Sequence, residues 1–286
     1  MAIIKQPEPN IIQQQIKDLL AEDIGTGDLT ATLIHKNSCS TATITCNEAM
    51  VLCGNPWVDA IFKHLDPDIN IAWSFQDGDN ITADTLLCTL HGRARALLTG
   101  ERTALNMLQT LSATATLARR YAEAISGTKA KILDTRKTIP GLRMAQKYAV
   151  RCGGCHNHRT GLFDAILIKE NHIQAAGSIR AALIAVKQQA PDIDIDIEIE
   201  VESIAQLHQA LAAGATHILL DNFDLKMLQQ AVQDTNGRAQ LEASGNINLQ
   251  NVRKVALTGV DTISIGALTK NVQAIDLSMR ITSGKL

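Results

Sequence analysis

The sequence predicts an α/β protein in two parts, and three observations carry that prediction. Beyond about residue 110, helix-like segments alternate six times with short β-branched runs, the pattern that builds a parallel sheet, closed or doubly wound. Before that point helix and strand signals mix without such alternation, as in a compact α+β domain. Finally, nearly every short run of the second part is followed at once by polar, charged or Gly-rich residues. A single polar strand end means only that a loop meets solvent. Six ends that carry Lys, Arg, Glu, Asp or a Gly turn point to a site at a barrel mouth, built from the carboxyl ends of several strands.

In the first part, IIQQQIKDLLAED (11–23) has helical spacing and runs into GTGDLT, a turn whose Thr and Asp suit capping. TATITCNEAMVLCG (41–54) reads as strand and hairpin material, NPWVDAIFKHL (55–65) as a helix, and NIAWSFQDGDNITADTLLCTLHG (70–92) as further strands split by Asp77-Gly78-Asp79-Asn80. A long helical stretch (99–126) leads into the second part. The strands predicted there are KILDT (131–135), DAILIK (164–169), DIDIEIEV (194–201), HILLD (217–221), QLEAS (240–244) and TISIG (262–266). SIRAALIAVKQQA, SIAQLHQALAAG and NLQNVRKVALTG are helical candidates between them.

Hydrophobic residues make up 45% of the 286, enough for a sizeable core, but aromatics are only 3%, which leaves no set of stacking rings for single-stranded nucleic acid. A formal charge of −2 gives no electrostatic reason to bind DNA or an anionic membrane. The first twenty residues lack the long apolar core of a signal peptide, and no run approaches the roughly 18 apolar residues of a membrane span, so the expected location is cytoplasmic. There the six cysteines, Cys39, Cys46, Cys53, Cys88, Cys152 and Cys155, are expected as free thiols, with Cys46 and Cys53 as buried small hydrophobes.

RCGGCHNHR (151–159) admits three chemistries by spacing alone. Cys-x-x-Cys-His is a haem-attachment pattern, Cys-x-x-Cys is a redox pair, and Cys152, Cys155, His156 and His158 suffice to hold zinc. Charge is segregated around this stretch: residues 129–159 hold eight cations, Lys129, Lys131, Arg136, Lys137, Arg143, Lys147, Arg151 and Arg159, against the single acid Asp134. An anionic ligand explains the excess. A solvated helix face would cover Lys147, Lys129 and Arg143, but not Arg136 and Lys137 at a strand end. DIDIDIEIEVE (192–202) alternates acids with Ile or Val, so its acids share one face. Asp192, Asp194 and Asp196 suit a wet face, whereas Glu198, Glu200 and Glu202 approach the barrel mouth. With Asp221 one strand on, they offer hard oxygen donors better suited to Mg²⁺ than to zinc. LEASGN and ISIGAL end two consecutive strands in small residues ahead of helices, a backbone arrangement that cradles phosphate.

EDIGTGDLT (22–30), GERTALNMLQTLSATAT (100–116), DTRKTIPGLR (134–143), GGCHNHRTGLFDAILIKENHI (153–173), IEVES (199–203), ILLDNF (218–223), EASGNI (242–247) and DTISIGALT (261–269) together resemble one family over nearly the whole chain, quinolinate phosphoribosyltransferase (nicotinate-nucleotide diphosphorylase, carboxylating). The resemblance implies an N-terminal α/β sandwich domain (1–112) and an incomplete α/β barrel of the type II phosphoribosyltransferase kind (113–269), with the tail (270–286) returning to the first domain. It implies transfer of phosphoribosyl from phosphoribosyl pyrophosphate to quinolinate with decarboxylation, giving nicotinate mononucleotide, pyrophosphate and CO₂ for NAD biosynthesis. It also implies a homodimer in which Arg102 acts across the interface. Carried over by residue, Arg102, Thr135, Arg136, Lys137, His158, Arg159 and Lys169 bind quinolinate. Glu200, Asp221, Ser244, Gly245, Asn246, Gly266 and Ala267 bind phosphoribosyl pyrophosphate. Lys137, Glu200 and Asp221 are the expected catalytic residues, Glu200 and Asp221 hold Mg²⁺ directly or through water, and no organic cofactor is implied.

In this family the turn before Asn-His-Arg is usually three glycines, so Cys155 stands in for the third and the Cys-x-x-Cys-His match becomes a coincidence. Cys155 is then expected to meet a backbone angle better suited to Gly, and beside a cationic wall to have a lowered pKa and oxidise readily. Two enzyme-class alternatives stay open at this point. One is a related phosphoribosyltransferase-like protein of molybdenum transport. The other is a phosphate-binding barrel isomerase or aldolase with Lys169 as a Schiff-base lysine.

Overall fold

The computed structural model describes residues 6–189 and 196–282; Asp192 and Asp194 of the alternating acidic run, and the last four residues of the tail, lie outside them. The chain divides into two compact units that interleave along the sequence. One holds the chain up to Arg119, Thr138–Gly154 and the chain from Leu268 on; the other holds Arg120–Lys137 and Cys155–Ala267.

The first unit opens with helix α1 (Pro9–Ile24), which starts on a proline, buries Ile12, Ile16 and Leu20 at a spacing of four, and stops at Gly25 with φ 53°. Strands β1 (Cys39–Cys46) and β2 (Met50–Val51), helix α2 (Asn55–Leu65), and strands β3 (Asn70–Trp73), β4 (Asn80–Ile81) and β5 (Thr85–Arg93) follow, and helix α3 (Ala94–Ala124) runs out of the unit. A main antiparallel sheet forms in the order β12-β1-β5-β3, where β12 (Leu277–Thr282) is supplied by the tail. The hairpin expected within 41–54 does not form. Asn47 donates its backbone N–H to the Asp276 carbonyl and Glu48 accepts from the Asp276 N–H, so the tail takes the edge of β1 and β2 pairs with β4 instead. Helix α4 (Arg143–Cys152) belongs to this unit too: Tyr148 donates its hydroxyl to Asp77 at 2.8 Å, and Asp77 in turn accepts the N–H groups of Gly54 and Asn55 at the start of α2. Lys147, expected on a wet helix face, is buried at 3% exposure.

The second unit is a sheet of six parallel strands: β6 (Lys131–Leu133), β7 (Ile166–Ile168), β8 (Ile197–Val201), β9 (His217–Asp221), β10 (Gln240–Ser244) and β11 (Thr262–Ser264). Helices α5 (Glu170–Ala176), α6 (Ile179–Gln189), α7 (Ile204–Ala212), α8 (Leu225–Thr235) and α9 (Val252–Ala256) lie between the strands, and α10 (Ala267–Lys270) follows the last. The spatial order is β6-β11-β10-β9-β8-β7, which is the cyclic order of a barrel opened between its first and second strands. That arrangement is the incomplete barrel the resemblance implies, and all six predicted strands are present; β9 and β10 have the predicted ends, and β6, β7 and β11 lie within theirs. The opening is partly filled by chain that is not a strand of its own. His156 donates its N–H to the Ile132 carbonyl at 2.9 Å, and Asp134 donates its N–H to the His156 carbonyl at 3.0 Å. The segment at 155–158 is thus laid alongside β6 in parallel.

Gly153 ends α4 against α3. A Cβ there would lie 2.4 Å from both the Ala115 carbonyl oxygen and the Ala118 methyl, and backbone on backbone has no room to yield. We predict that Gly153→Ala lowers unfolding stability by about 1–3 kcal/mol. A urea midpoint unchanged from wild type would contradict this packing.

Candidate active site

The carboxyl ends of the six strands surround a cavity of about 310 Å³, lined by Thr135, Arg136, Lys137, His158, Arg159, Leu167, Lys169, Glu200, Leu219, Asp221, Glu242, Ser244 and Ser264. Each predicted polar residue arrives from its own strand end: Thr135, Arg136 and Lys137 after β6, Lys169 after β7, Glu200 in β8, Asp221 closing β9 and Ser244 closing β10. His158 and Arg159 come from the segment laid beside β6.

Asp134, fully buried, fixes that segment. Its carboxylate accepts the His158 N–H at 2.9 Å and the Asn157 side-chain amide at 2.6 Å. The Arg159 guanidinium donates to the Ala165 carbonyl at 3.2 Å; burial first, then the nearby Arg136 charge, lower its pKa. Lys169 and Glu200 approach to 3.8 Å. Burial, with the like charges of Asp221, Glu202 and Glu198, raises the Glu200 carboxyl above its ordinary range against the opposing pull of Lys169.

The loops after β9 and β10 are locked together. Gly245 (φ 94°), Asn246 (φ 52°) and Asn222 (φ 56°) all have left-handed backbones. The Asn222 N–H bonds the Ser244 carbonyl at 2.9 Å, and the Asn246 amide donates to Asn222 Oδ1 at 3.1 Å. A Cβ on Gly245 would fall 2.2 Å from that oxygen, so this turn requires glycine. Gly266 lies against the stem of Lys137: a Cβ on it would stand 3.1 Å from Lys137 Cδ.

Of the predicted residues, the cavity thus gathers Thr135, Arg136, Lys137, His158, Arg159, Lys169, Glu200, Asp221 and Ser244. Gly245, Asn246, Gly266 and Ala267 lie in the turns beyond β10 and β11 without lining it, and Arg102 is exposed on α3 in the first unit. Glu242, Ser264, Asn222, Asp134 and Asn157 are not among the predicted site residues, and Glu198, expected only as one of the hard oxygen donors near the mouth, stands with His158 and Glu242 instead. Two of them left a signal: Asp134 is the lone acid among eight cations, and Glu242 is the only charge in QLEAS.

The Cys-x-x-Cys-His stretch is not a ligand site. Cys152 belongs with the first unit, where its sulfur clusters with Cys53 and Asp77, while His158 clusters with Glu198 and Glu242. Among the described residues no metal-sized cluster joins Cys152 to Cys155, His156 or His158. Cys155 is buried at 4% exposure, and unlike Gly154 (φ 92°) it does not have a left-handed backbone. The expected angle strain at Cys155 is therefore absent: Gly153 is required by close packing, Gly154 by its φ, and the third position tolerates a side chain. We predict that Cys155→Gly keeps turnover and loses about 1 kcal/mol of stability from backbone freedom, whereas Cys155→Asp, a new anion beside His158 and Arg159, impairs turnover. An inactive but folded Cys155→Gly protein would overturn this assignment.

Comparison with known proteins gives a consistent result. Residues 28–112 match the N-terminal domain and 114–280 the C-terminal domain of the family described as quinolinate phosphoribosyl transferase. The structure of the nicotinate-nucleotide pyrophosphorylase from Francisella tularensis is similar at 44% identity and TM-score 0.92, covering 98% of this chain and 99% of that one. NadC from Streptococcus pyogenes matches at 36% identity and TM-score 0.94, covering 98% and 100%. The chloroplastic nicotinate-nucleotide pyrophosphorylase (carboxylating) of Arabidopsis thaliana is 40% identical over 286 aligned residues, covering 93% of this chain and 81% of its own. With both domains matched in order over residues 28–112 and 114–280, the chain belongs to the quinolinate phosphoribosyltransferase family.

Proposed function

We propose that the barrel mouth binds quinolinate and phosphoribosyl pyrophosphate and joins them with loss of pyrophosphate and CO₂, yielding nicotinate mononucleotide for NAD biosynthesis. The observation that supports this most is the order of charge around the ring. Arg136, Lys137, Arg159 and Lys169 occupy the arc from β6 across the opening to β7; Glu200 and Asp221 follow on β8 and β9; the small-residue turns of Ser244-Gly245-Asn246 and Gly266-Ala267 complete the ring after β10 and β11. A cationic arc suits the two carboxylates of quinolinate, with guanidinium forks giving paired hydrogen bonds. The turns suit a 5′-phosphate on backbone N–H groups. The acidic arc suits the ribose and the positive charge that grows on its anomeric carbon.

In this reading the pyridine nitrogen pair forms the bond to the anomeric carbon as that carbon's bond to the pyrophosphate oxygen breaks. Glu200 and Asp221 stabilise the cationic carbon between them. Lys137, its stem against Gly266, stands where the quinolinate and phosphate arcs meet and opposes charge on both anions. The ribosylated ring nitrogen is cationic, so when the adjacent carboxylate leaves as CO₂ its electron pair remains on a ring carbon that this charge stabilises, and that carbon then takes a proton. The chemistry calls for no organic cofactor.

Glu200 and Asp221 fit Mg²⁺: both offer hard oxygen donors, and the crowding of negative charge that raises the Glu200 carboxyl is relieved by a cation. Mg²⁺ held there would supply neutralisation of the departing pyrophosphate. Arg102, exposed on α3, suits a contribution to a second copy in a homodimer. Among the described residues no helix is long and apolar enough to cross a membrane, and the free cysteines favour a reducing, cytoplasmic setting. A Schiff-base role for Lys169 is disfavoured by its ion pair with Glu200 at 3.8 Å.

The test is pyrophosphate release by the purified protein. Release should require both substrates, stop with EDTA and return with Mg²⁺ or Mn²⁺; full activity in metal-free buffer would remove the metal from the scheme. Arg136→Ala and Arg159→Ala should weaken quinolinate use by about 1.5–3 kcal/mol per charged hydrogen bond lost, with little change in phosphoribosyl pyrophosphate affinity. Wild-type quinolinate kinetics in both variants would refute the cationic arc.

A further inference from the structure

Beneath the mouth, a second cavity of about 220 Å³ enters the barrel from the amino ends of its strands and shares His158, Arg159 and Glu242 with the first. Its lining includes three side chains, His158, Glu198 and Glu242, whose ligand-capable atoms all lie within 4.8 Å of one another. They are 15%, 14% and 5% exposed. None of the substrate contacts proposed above uses Glu198 or Glu242.

Counting protons in this cluster decides its state. His158 Nδ1 accepts the backbone N–H of Arg159 at 2.7 Å, so it carries no proton, and the ring's one proton is on Nε2. That N–H donates to Glu198 Oε2 at 3.1 Å. Glu242 Oε1 stands 3.6 Å from the same nitrogen, is buried, and has no hydrogen-bond donor. A carboxylate oxygen buried beside another carboxylate without a donor is costly, and a proton on Glu242 removes the cost. A metal ion held by all three side chains is the other remedy, but it would need the Nε2 lone pair, which the protonated nitrogen does not have.

We propose that Glu242 is a positioning residue: as a neutral carboxylic acid it works with Glu198 to hold His158 in the Nε2–H form at the quinolinate side of the mouth. The groups that face it are consistent with this. Glu198 comes from β8, His158 from the segment beside β6, and Thr262 and Ser264 from β11 as hydrogen-bonding partners. On β9 its ladder neighbour is the apolar Leu219, flanked in the strand by His217 and Asp221; Glu200 and Arg159 also share its cavity. Burial first, then repulsion from Glu198, pushes the Glu242 carboxyl up to about 7 against the opposing pull of His158, Ser264 and Thr262. Because the folded pKa is raised, the neutral acid is favoured below that value and the ion appears as pH rises through it. Ionisation would place a second negative charge beside Glu198 on the wall that takes a dicarboxylate.

The protonation claim is independent of the catalytic reading, while its effect on quinolinate rests on it, and the experiment separates the two. A difference infrared spectrum of substrate-free wild type against Glu242→Gln at about pH 6 should show a carboxylic-acid C=O band lost in the variant. Nitrogen NMR of wild type should show His158 Nδ1 unprotonated and Nε2 protonated. In turnover, wild-type quinolinate KM should rise several-fold from about pH 6 to about pH 8, and the rise should be flattened in Glu242→Gln with a smaller change in the pH dependence of kcat. Absence of the band, an imidazolium or Nδ1–H form of His158, or a stoichiometric metal lost from Glu242→Gln would each overturn the proposal. Parallel KM profiles with the band present would sever Glu242 from quinolinate binding and leave the activity itself untouched.

Discussion

The barrel is open between β6 and β7, and an open parallel sheet leaves the edge of its first strand with unpaired backbone donors and acceptors. Residues 155–158 satisfy that edge. The His156 N–H and carbonyl bond to Ile132 and Asp134, and the Asp134 carboxylate captures the His158 N–H and the Asn157 amide. The same contacts that cover the edge deliver His158 and Arg159 into the mouth next to Arg136 and Lys137. The opening of the ring is therefore what allows cations from three consecutive positions to converge, since a closed ring would place a strand backbone there in place of the His158–Arg159 segment.

Convergence of four cations would be self-repelling without compensation, and the barrel supplies it from the neighbouring strands. Lys169 is paired with Glu200, and Arg159 gives one guanidinium hydrogen bond to a carbonyl. The acids have the converse difficulty: Glu198, Glu200 and Glu242 project into one narrow interior, and burial raises Glu200 and Glu242 above ordinary carboxyl values. The two anionic substrates and the divalent cation proposed above would complement those two strained populations of charge. In the free protein His158 and Arg159 are held by backbone contacts beside β6 and at Ala165, so binding does not have to order that segment first.

Much of this was legible in the sequence because strand period and strand-end chemistry are local properties. Six parallel strands, and seven of the residues that line the mouth, follow from β-branched runs ending in TRKT, KENH, EVES, DN and SGN. Long-range pairing was not legible. The tail strand β12 takes the edge of β1 and displaces the expected hairpin, and nothing within 41–54 signals that competitor. Lys147 reads as a solvent residue on a basic helix, yet its helix is buried in the first unit. Glu242 was missed because a lone acid in a strand reads as one more polar position until the opposite wall, contributed by Glu198 and His158 from distant parts of the chain, is known. Cys155 was misread in the other direction, since replacement of a glycine suggests a positive φ that the backbone does not have.

If the segment beside β6 is preformed, amide hydrogen exchange at His156 and His158 tests it directly. Both N–H groups should exchange slowly in the substrate-free protein, at rates comparable with the Ile265 amide, which bonds the Leu133 carbonyl within the β6–β11 pairing, and added quinolinate should change them little. Exchange at the rate of an open loop, with protection appearing only after quinolinate is bound, would show that the cationic wall is assembled by its ligand and would contradict a site held ready by the edge of β6.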